Sequence, residues 1–261
     1  MDLGIKDKLA LVLAAGGGLG GAIAQSLARE GVRVVAADID EAGLSRTVDR
    51  GSAEGLTITP RTLDLGDVDA LPGFVQHATD EFGPISILVN NTGGPPPGTA
   101  AGVDPASWRR QFEAMVLSVF RLTDLVLPGM REDGWGRVIT STSSGVITPI
   151  PNLGISNALR SSLVGWSKTL AAEVGRDGIT ANVVLPGRIA TARIKALDEA
   201  RSQRENRPVS EVVAESVGSI PVGRYGEPQE YGDAVAFLAS ERASFINGSV
   251  IRVDGGMIPS I

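Results

Sequence analysis

Short β-rich runs alternate along the chain with longer segments of helical spacing. Leu9–Ala15 is a continuous apolar run, as expected for a strand buried on both faces of a sheet. The β-rich runs predict strands at Leu9–Ala15, Val32–Ala37, Thr57–Leu63, Ile85–Val89, Arg137–Thr142, Thr180–Leu185 and Ser249–Val253. Apolar positions about 3.6 residues apart predict helices at Leu19–Glu30, Pro105–Met130, Leu159–Val174 and Pro228–Leu238.

This alternation of strands and helices predicts an α/β protein with parallel pairing and right-handed crossovers. We expect one doubly wound, Rossmann-type domain over residues 1–261, with its ligand beyond the carboxyl ends of the strands. The segment from Ile189 to Ser219 is charged and helical and contains no strand. We therefore predict that residues 188–220 form a lid over the cleft.

The first predicted strand runs into a glycine-rich turn, Gly16–Gly21, which is followed by a helix. Glycine permits a tight turn, and the start of the helix offers free N–H groups and a positive dipole end to a pyrophosphate. Asp38 ends the second strand, where a carboxylate binds ribose hydroxyls and repels a 2′-phosphate. The sequence thus predicts NAD, with NADP less favoured. The alternatives are a turn without a ligand and an aspartate that only caps the next helix. The residues predicted at the cofactor are Gly16, Gly18, Leu19, Gly20 and Asp38.

The composition restricts the possible functions and does not alter the predicted fold. The chain has a net charge of −6 and 21% charged residues, which argues against a nucleic-acid surface. No polybasic run stands beside an apolar helix, so no membrane partner is expected. The absence of cysteine excludes disulfides and thiolate chemistry, and His77 is the only histidine. We expect His77 to be a solvated helix residue, the protein to hold no metal, and its location to be the cytoplasm, since no signal or membrane segment is seen.

Several motifs in order resemble those of one family. Gly18-Leu19-Gly20 resembles its G-[IL]-G turn, Asp64-Leu65 its adenine-binding aspartate, and Asn90-Asn91-Thr92-Gly93 its N-N-A-G motif. The segment Pro186-Gly187-Arg188-Ile189-Ala190-Thr191 is similar to P-G-x-[IV]-x-T. Over nearly its whole length the chain resembles the short-chain dehydrogenase/reductase family, in its bacterial β-ketoacyl-reductase-like branch.

The resemblance implies a mainly parallel seven-stranded sheet of order 3-2-1-4-5-6-7 and an enzyme that acts on a small molecule. It also implies a homotetramer or homodimer, built on the apolar helices at Pro105–Met130 and Leu159–Val174. Further cofactor-binding residues follow from the matched motifs. These are Asp64, Leu65, Asn91, Gly93, Pro186, Gly187, Ile189 and Thr191.

The chain departs from the family pattern at the glycine-rich turn and at the positions that carry out catalysis in the family. Leu13-Ala14 stands where the family has Thr-Gly, and an alanine can still make the turn there if its φ stays negative. The family's S-x12-Y-x3-K arrangement maps onto Ser143, Ser156 and Arg160, and its helix asparagine maps onto Met115. No Tyr-x3-Lys occurs anywhere, and Tyr225 and Tyr231 lie far along the chain from the active-site helix.

These replacements leave the candidate catalytic residues as Ser143, Ser156 and Arg160. A serine is a poor acid or base at neutral pH, and arginine holds a charge without shuttling a proton. Arg160 either polarises the substrate or holds the cofactor ribose. Positive side chains on the predicted lid suggest an anionic substrate, although a solvated lid face explains them better.

Three functions remain open at this point. The favoured one is an NAD(H)-dependent oxidoreductase acting on an alcohol or carbonyl by a non-standard acid/base arrangement. The second is a non-redox enzyme, isomerase-like or lyase-like, on the same scaffold. The third is a catalytically silent dinucleotide-binding protein. Fold alone does not decide among them.

Overall fold

The computed structural model describes all residues from 1 to 261. Seven strands form one parallel sheet of order β3-β2-β1-β4-β5-β6-β7, so the predicted fold class and strand order are confirmed. The strands are β1 (Leu9–Leu13), β2 (Arg33–Asp38), β3 (Ile58–Thr62), β4 (Ile87–Asn90), β5 (Gly136–Ser141), β6 (Ile179–Pro186) and β7 (Val250–Val253).

Nine α-helices connect and cover these strands, and short 3-10 turns follow several elements. The helices are α1 (Gly18–Arg29), α2 (Glu41–Ala53), α3 (Leu71–Phe82), α4 (Pro105–Phe112), α5 (Ser118–Glu132), α6 (Gly154–Val174), α7 (Ala192–Glu205), α8 (Val209–Gly218) and α9 (Pro228–Leu238). None of these helices combines the length and the apolar character that a membrane crossing requires.

The sheet separates two hydrophobic layers, which makes a three-layer α/β/α domain. On one face, Ile23 and Leu27 of α1 pack with Val235 of α9. On the other face, Val126 of α5 and Leu170 of α6 pack against the sheet. Strand β1 is buried along its whole length, as its uninterrupted apolar run predicts. The sheet is thereby held rigidly enough to position loops at its carboxyl edge.

Two predicted helices differ from the observed ones in ways that concern the site. The predicted helix Pro105–Met130 is interrupted by a π-helical turn at Glu113–Leu117 between α4 and α5. The predicted helix Leu159–Val174 begins earlier, at Gly154. Because α6 starts there, Ser156 lies in its first turn, one helical turn before Arg160 on the same face.

Candidate active site

A cavity of about 780 Å³ opens along the carboxyl edge of the sheet. It is bounded by the loops after β1, β2, β3, β4, β5 and β6, by the first turns of α6 and α7, and by the C-terminal residues 257–259. The cavity is lined by every residue that we predicted to bind the cofactor or to act in catalysis, except Gly16. The residues predicted from the sequence thus come together around one cavity, which extends from the end of β1 to the end of β5.

The glycine-rich turn presents the start of α1 to the cavity without any side-chain cap. Gly17 is the N-cap residue, and its own N–H donates to the Ala14 carbonyl oxygen at 3.3 Å. Within α1, the first N–H with a backbone acceptor is that of Gly21, which donates to the Gly17 carbonyl oxygen at 2.8 Å. The amides of residues 18–20 are therefore free to bind an anion. A β-carbon on Gly20 would lie 2.2 Å from the Ala14 carbonyl oxygen, so only glycine fits there.

Ala14, just before this turn, has a φ of 48°. The condition of a negative φ is therefore not met. The turn needs a left-handed residue at the position where the family has glycine, and alanine adopts that conformation at a cost of about 1 kcal/mol. The Asn91 side chain supports the strained segment by donating to the Leu13 carbonyl oxygen at 3.3 Å.

Asp38 lies at the β2 end of the cavity and reaches back to the glycine-rich turn. Its Oδ2 accepts from the Gly16 amide and its Oδ1 from the Asp40 amide, each at 2.9 Å. Gly16 thus lies behind the cavity wall and orients Asp38. Asp40, not Asp38, caps α2, because its side chain accepts from the Gly43 amide at 3.0 Å. A carboxylate oxygen has further lone pairs, so Asp38 can still accept from ribose hydroxyls.

These residues fit a dinucleotide. Free amides at the start of α1 suit a pyrophosphate, and the Asp38 carboxylate can accept from ribose hydroxyls. Asp64 lies farther along the same end, and its Oδ1 accepts from the Gly66 amide at 2.8 Å. At the opposite side of the turn, a β-carbon on Gly18 would lie 2.6 Å from Cγ2 of Thr191. Glycine therefore lets the segment after β6 close tightly over the turn.

Arg160 lies at the other end of the cavity, inserted between the ends of β4 and β5. Its Nη2 donates to the carbonyl oxygens of Thr92 and Gly93, both at 3.0 Å, and its Nη1 to that of Ser141 at 3.4 Å. The residue is 7% exposed. Burial lowers the pKa of its guanidinium to about 10, with the positive charge of Arg193 acting in the same direction. Arg160 is therefore a cation at neutral pH.

The two candidate catalytic serines also line this end. Ser143 follows β5, and its Oγ accepts from the Gly145 amide at 3.1 Å, so its hydroxyl proton is free to point elsewhere. Ser156 is buried, in the first turn of α6. Met115, at the position of the family's asparagine, lies buried in the π-helical turn and presents a thioether to the cavity. This end thus contains hydroxyl donors and a cation, and no side chain that exchanges a proton near neutral pH.

Neither tyrosine takes the place of the missing one, because neither lines the cavity. Tyr231 is fully buried behind the sheet end, with its hydroxyl 2.8 Å from Ser141 Oγ, and burial raises its pKa. Tyr225 lies below α7 and donates to Asp198 Oδ2 at 2.8 Å. The cavity therefore contains no phenol hydroxyl from either tyrosine.

Several residues of the cavity were not assigned to the site from the sequence. Gln111 reaches it from α4, and Arg193 reaches it from the first turn of α7, where its Nη2 donates to the Pro95 carbonyl oxygen at 2.9 Å. The hydroxyls of Thr92 and Thr142 are buried without a hydrogen-bond partner. Only the tertiary structure brings these positions together, although Arg193 could be found as the second residue after the P-G-x-[IV]-x-T segment.

The segment after β6 forms α7 and α8, linked by ion pairs. Arg201 contacts Glu205 at 2.7 Å and Glu215 at 2.5 Å, and Arg207 contacts Glu215 at 2.8 Å. These two arginines are thus half-buried and paired with carboxylates, rather than fully solvated. His77 is an exposed residue of α3, as predicted.

Comparison with known proteins agrees with this architecture. A family model described as Enoyl-(Acyl carrier protein) reductase matches residues 13–258. The 3-oxoacyl-[acyl-carrier-protein] reductase of Vibrio cholerae is 34% identical over 257 residues, 98% of this chain and 99% of that protein. The Escherichia coli K12 reductase of the same name is 36% identical with the same coverage. L-Sorbose reductase from Gluconobacter frateurii, solved with NADPH and L-sorbose, has a TM-score of 0.93 at 29% identity and covers 100% of both chains.

Fold, site and comparisons together define a nicotinamide-dinucleotide oxidoreductase class. The chain belongs to the short-chain dehydrogenase/reductase family, which confirms the resemblance drawn from its motifs. It is an enzyme of that family, and its ketoacyl-reductase relatives match it over nearly the whole chain.

Proposed function

We propose that the protein is an NAD(H)-dependent oxidoreductase that interconverts an alcohol and a carbonyl group in a small molecule without the acid/base pair of its family. One observation carries this proposal. An uncapped, glycine-lined helix start faces the same cavity as Asp38, and buried hydrogen-bond donors line the far end of that cavity.

Asp38 is the reason to prefer NAD(H). L-Sorbose reductase was solved with NADPH, so the preference cannot be transferred from that structure. In this chain the carboxylate of Asp38 lies at the end of β2, held there by the Gly16 and Asp40 amides. A 2′-phosphate would be brought against this fixed negative charge, whereas ribose hydroxyls would donate to it. Cofactor contacts would come from the motif residues predicted above, Asp64, Leu65, Asn91, Gly93, Pro186, Gly187, Ile189 and Thr191 included.

The chemistry at the β5 end would rest on stabilisation of charge. When bound, the nicotinamide would supply or accept the hydride. Ser143 and Ser156 would donate hydrogen bonds to the substrate oxygen, and Arg160 would stabilise the negative charge that develops on it. Because neither hydroxyl exchanges its proton readily at neutral pH, the proton would pass to or from water in the cavity.

The surrounding elements would complete the catalyst. The predicted lid, residues 188–220, would consist of α7 and α8 closing over the substrate end. The exposed Phe112 of α4 and the Phe120–Trp166 pair, with ring centroids 4.9 Å apart, would take part in a symmetric homotetramer or homodimer. We place this enzyme in the cytoplasm, as expected from the sequence.

The test is a panel of small ketones, oxo acids and the corresponding alcohols, assayed with NADH or NAD and followed by the absorbance of the reduced nicotinamide. The proposal predicts turnover with NADH that saturates with substrate. Product formation without an absorbance change would instead support the isomerase-like or lyase-like function. Binding of NADH without turnover of any compound would support the catalytically silent one.

A further inference from the structure

Charge is segregated along the cavity. The acidic side chains that line it, Asp38 and Asp64, both lie at the end assigned to adenosine. The arginines that line it, Arg160, Arg188 and Arg193, come from α6 and from the segment after β6, at the end assigned to the substrate. A molecule that occupies the whole cavity therefore meets a positive field at its reacting end.

Two of these three arginines have no acidic partner. Arg188 is neutralised by the buried Asp198, whose Oδ1 lies 2.6 Å from Arg188 Nη1. Neither Arg160 nor Arg193 forms a salt bridge. A β-carbon built on Gly94 would lie 3.3 Å from Nη2 of Arg193 and 3.9 Å from Nη2 of Arg160. The two guanidinium groups thus flank the same glycine, without a counter-ion.

Both guanidinium groups keep unused donors. Arg160 donates hydrogen bonds to three backbone carbonyl oxygens, which leaves two of its five N–H groups free. Arg193 donates one hydrogen bond, to the carbonyl oxygen of Pro95. Two hydroxyls lining the same end, those of Thr92 and Thr142, are 7% and 5% exposed and have no partner. Arg160 and the two hydroxyls are buried, and buried groups of this kind are normally satisfied, so a ligand is their missing partner. Arg193 is exposed to solvent, and its free donors lie next to this buried group.

We propose that the substrate carries a carboxylate that bridges Arg160 and Arg193 beside Gly94, with its reacting carbon placed against Ser143 and Ser156. This inference rests on the proposed oxidoreductase function and assigns its substrate class. A carboxylate suits the site because its two oxygens can accept from two guanidinium groups at once, one from Arg160 and one from Arg193. A phosphate ester is the other anion that this chemistry admits, and the experiment separates the two.

The experiment compares short 2-oxo and 3-oxo acids with their methyl esters and with phosphorylated hydroxyketones, each with NADH. The wild-type enzyme is expected to show a kcat/KM about 100-fold higher for an acid than for its ester, since the ester lacks the charge. Arg193→Gln should lower the acid-to-ester ratio about 10-fold, chiefly by raising the KM of the acid. Lys195→Gln removes the same charge from an exposed position of α7 outside the cavity, and should leave the ratio unchanged.

Each result decides one of the two proposals. Equal kcat/KM for acids and esters, or an unchanged ratio in Arg193→Gln, would overturn the carboxylate assignment and leave the oxidoreductase function standing. A preference for the phosphorylated ketones would overturn it in favour of a phosphate. Absence of any NADH oxidation would remove the oxidoreductase function. In that case, calorimetric titration of the acids into the wild type and Arg193→Gln decides the carboxylate site: binding that the variant loses supports it, and no binding overturns it.

Discussion

The two ends of the cavity differ in how closely they follow the family pattern. The β1–β2 end has the glycine-rich turn, the free amides of α1 and the carboxylate of Asp38. The β4–β5 end has Ser156 and Arg160 where the family has tyrosine and lysine, and Arg160 is hydrogen-bonded to backbone carbonyls. Cofactor binding depends mostly on backbone geometry, whereas proton transfer depends on particular side chains. The scaffold can therefore keep the first function while the second changes.

The largest expected effect is at the β1–β2 end. In Gly20→Ala, the new β-carbon would lie 2.2 Å from the Ala14 carbonyl oxygen, so the turn must open and the amides lose their alignment. We expect NADH to bind about 100-fold more weakly or worse, as measured by calorimetry. Gly73→Ala is the matched control, because a β-carbon there meets nothing within 4 Å. An affinity unchanged in Gly20→Ala would refute the pyrophosphate site.

The second-largest expected effect is a gain of reductase activity when the β4–β5 end is changed. The double variant Ser156→Tyr, Arg160→Lys restores a phenol and an ammonium group in the family's spacing. We expect reductase activity on simple uncharged ketones to rise by about 100-fold, the usual contribution of a positioned acid. Steady-state rates with NADH measure this, and the single variant Arg160→Lys serves as the control because it lacks the phenol. If the double variant stays as slow as this control, other groups block the site.

The dependence of kcat/KM on pH tests the same difference between the two ends of the cavity. The β4–β5 end has no carboxylate or imidazole, and burial lowers the pKa of Arg160 to about 10. The charged form of arginine predominates below its pKa, so kcat/KM should be constant through neutral pH. It should fall above pH 10, by about tenfold per pH unit. Initial rates against pH, with circular dichroism at each point to verify folding, make the measurement. A bell-shaped profile centred near neutrality would mean that an acid/base pair is present after all.

The smallest effect is on stability. Ala14→Gly relieves the left-handed backbone at φ 48°, and we expect the free energy of unfolding to rise by up to about 1 kcal/mol. Urea unfolding measures it. Ala15→Gly, at a neighbouring buried residue outside the left-handed region, should be destabilising instead. Two variants that shift stability in the same direction would contradict the assignment of strain to Ala14.

Strand positions could be predicted to within about two residues, and the clearest signal is β1, because a strand buried on both faces leaves an uninterrupted apolar run. The start of α6 could not be predicted, because Leu153 supplies no side-chain cap that would mark it in the sequence. The backbone of Ala14 follows from the tight turn around Gly20, which residue type alone does not reveal. Arg193 lies on a different element from Pro95, and only the folded chain shows that their contact turns this arginine toward the cavity.

The proposed binding of NAD(H) depends on the start of α1 and on Asp38, and a calorimetric comparison of NADH and NADPH tests both together. The wild type should bind NADH at least tenfold more tightly than NADPH, and Asp38→Ala should remove most of that difference by weakening NADH. Tighter binding of NADPH by the wild type, or a ratio that Asp38→Ala leaves unchanged, would contradict it.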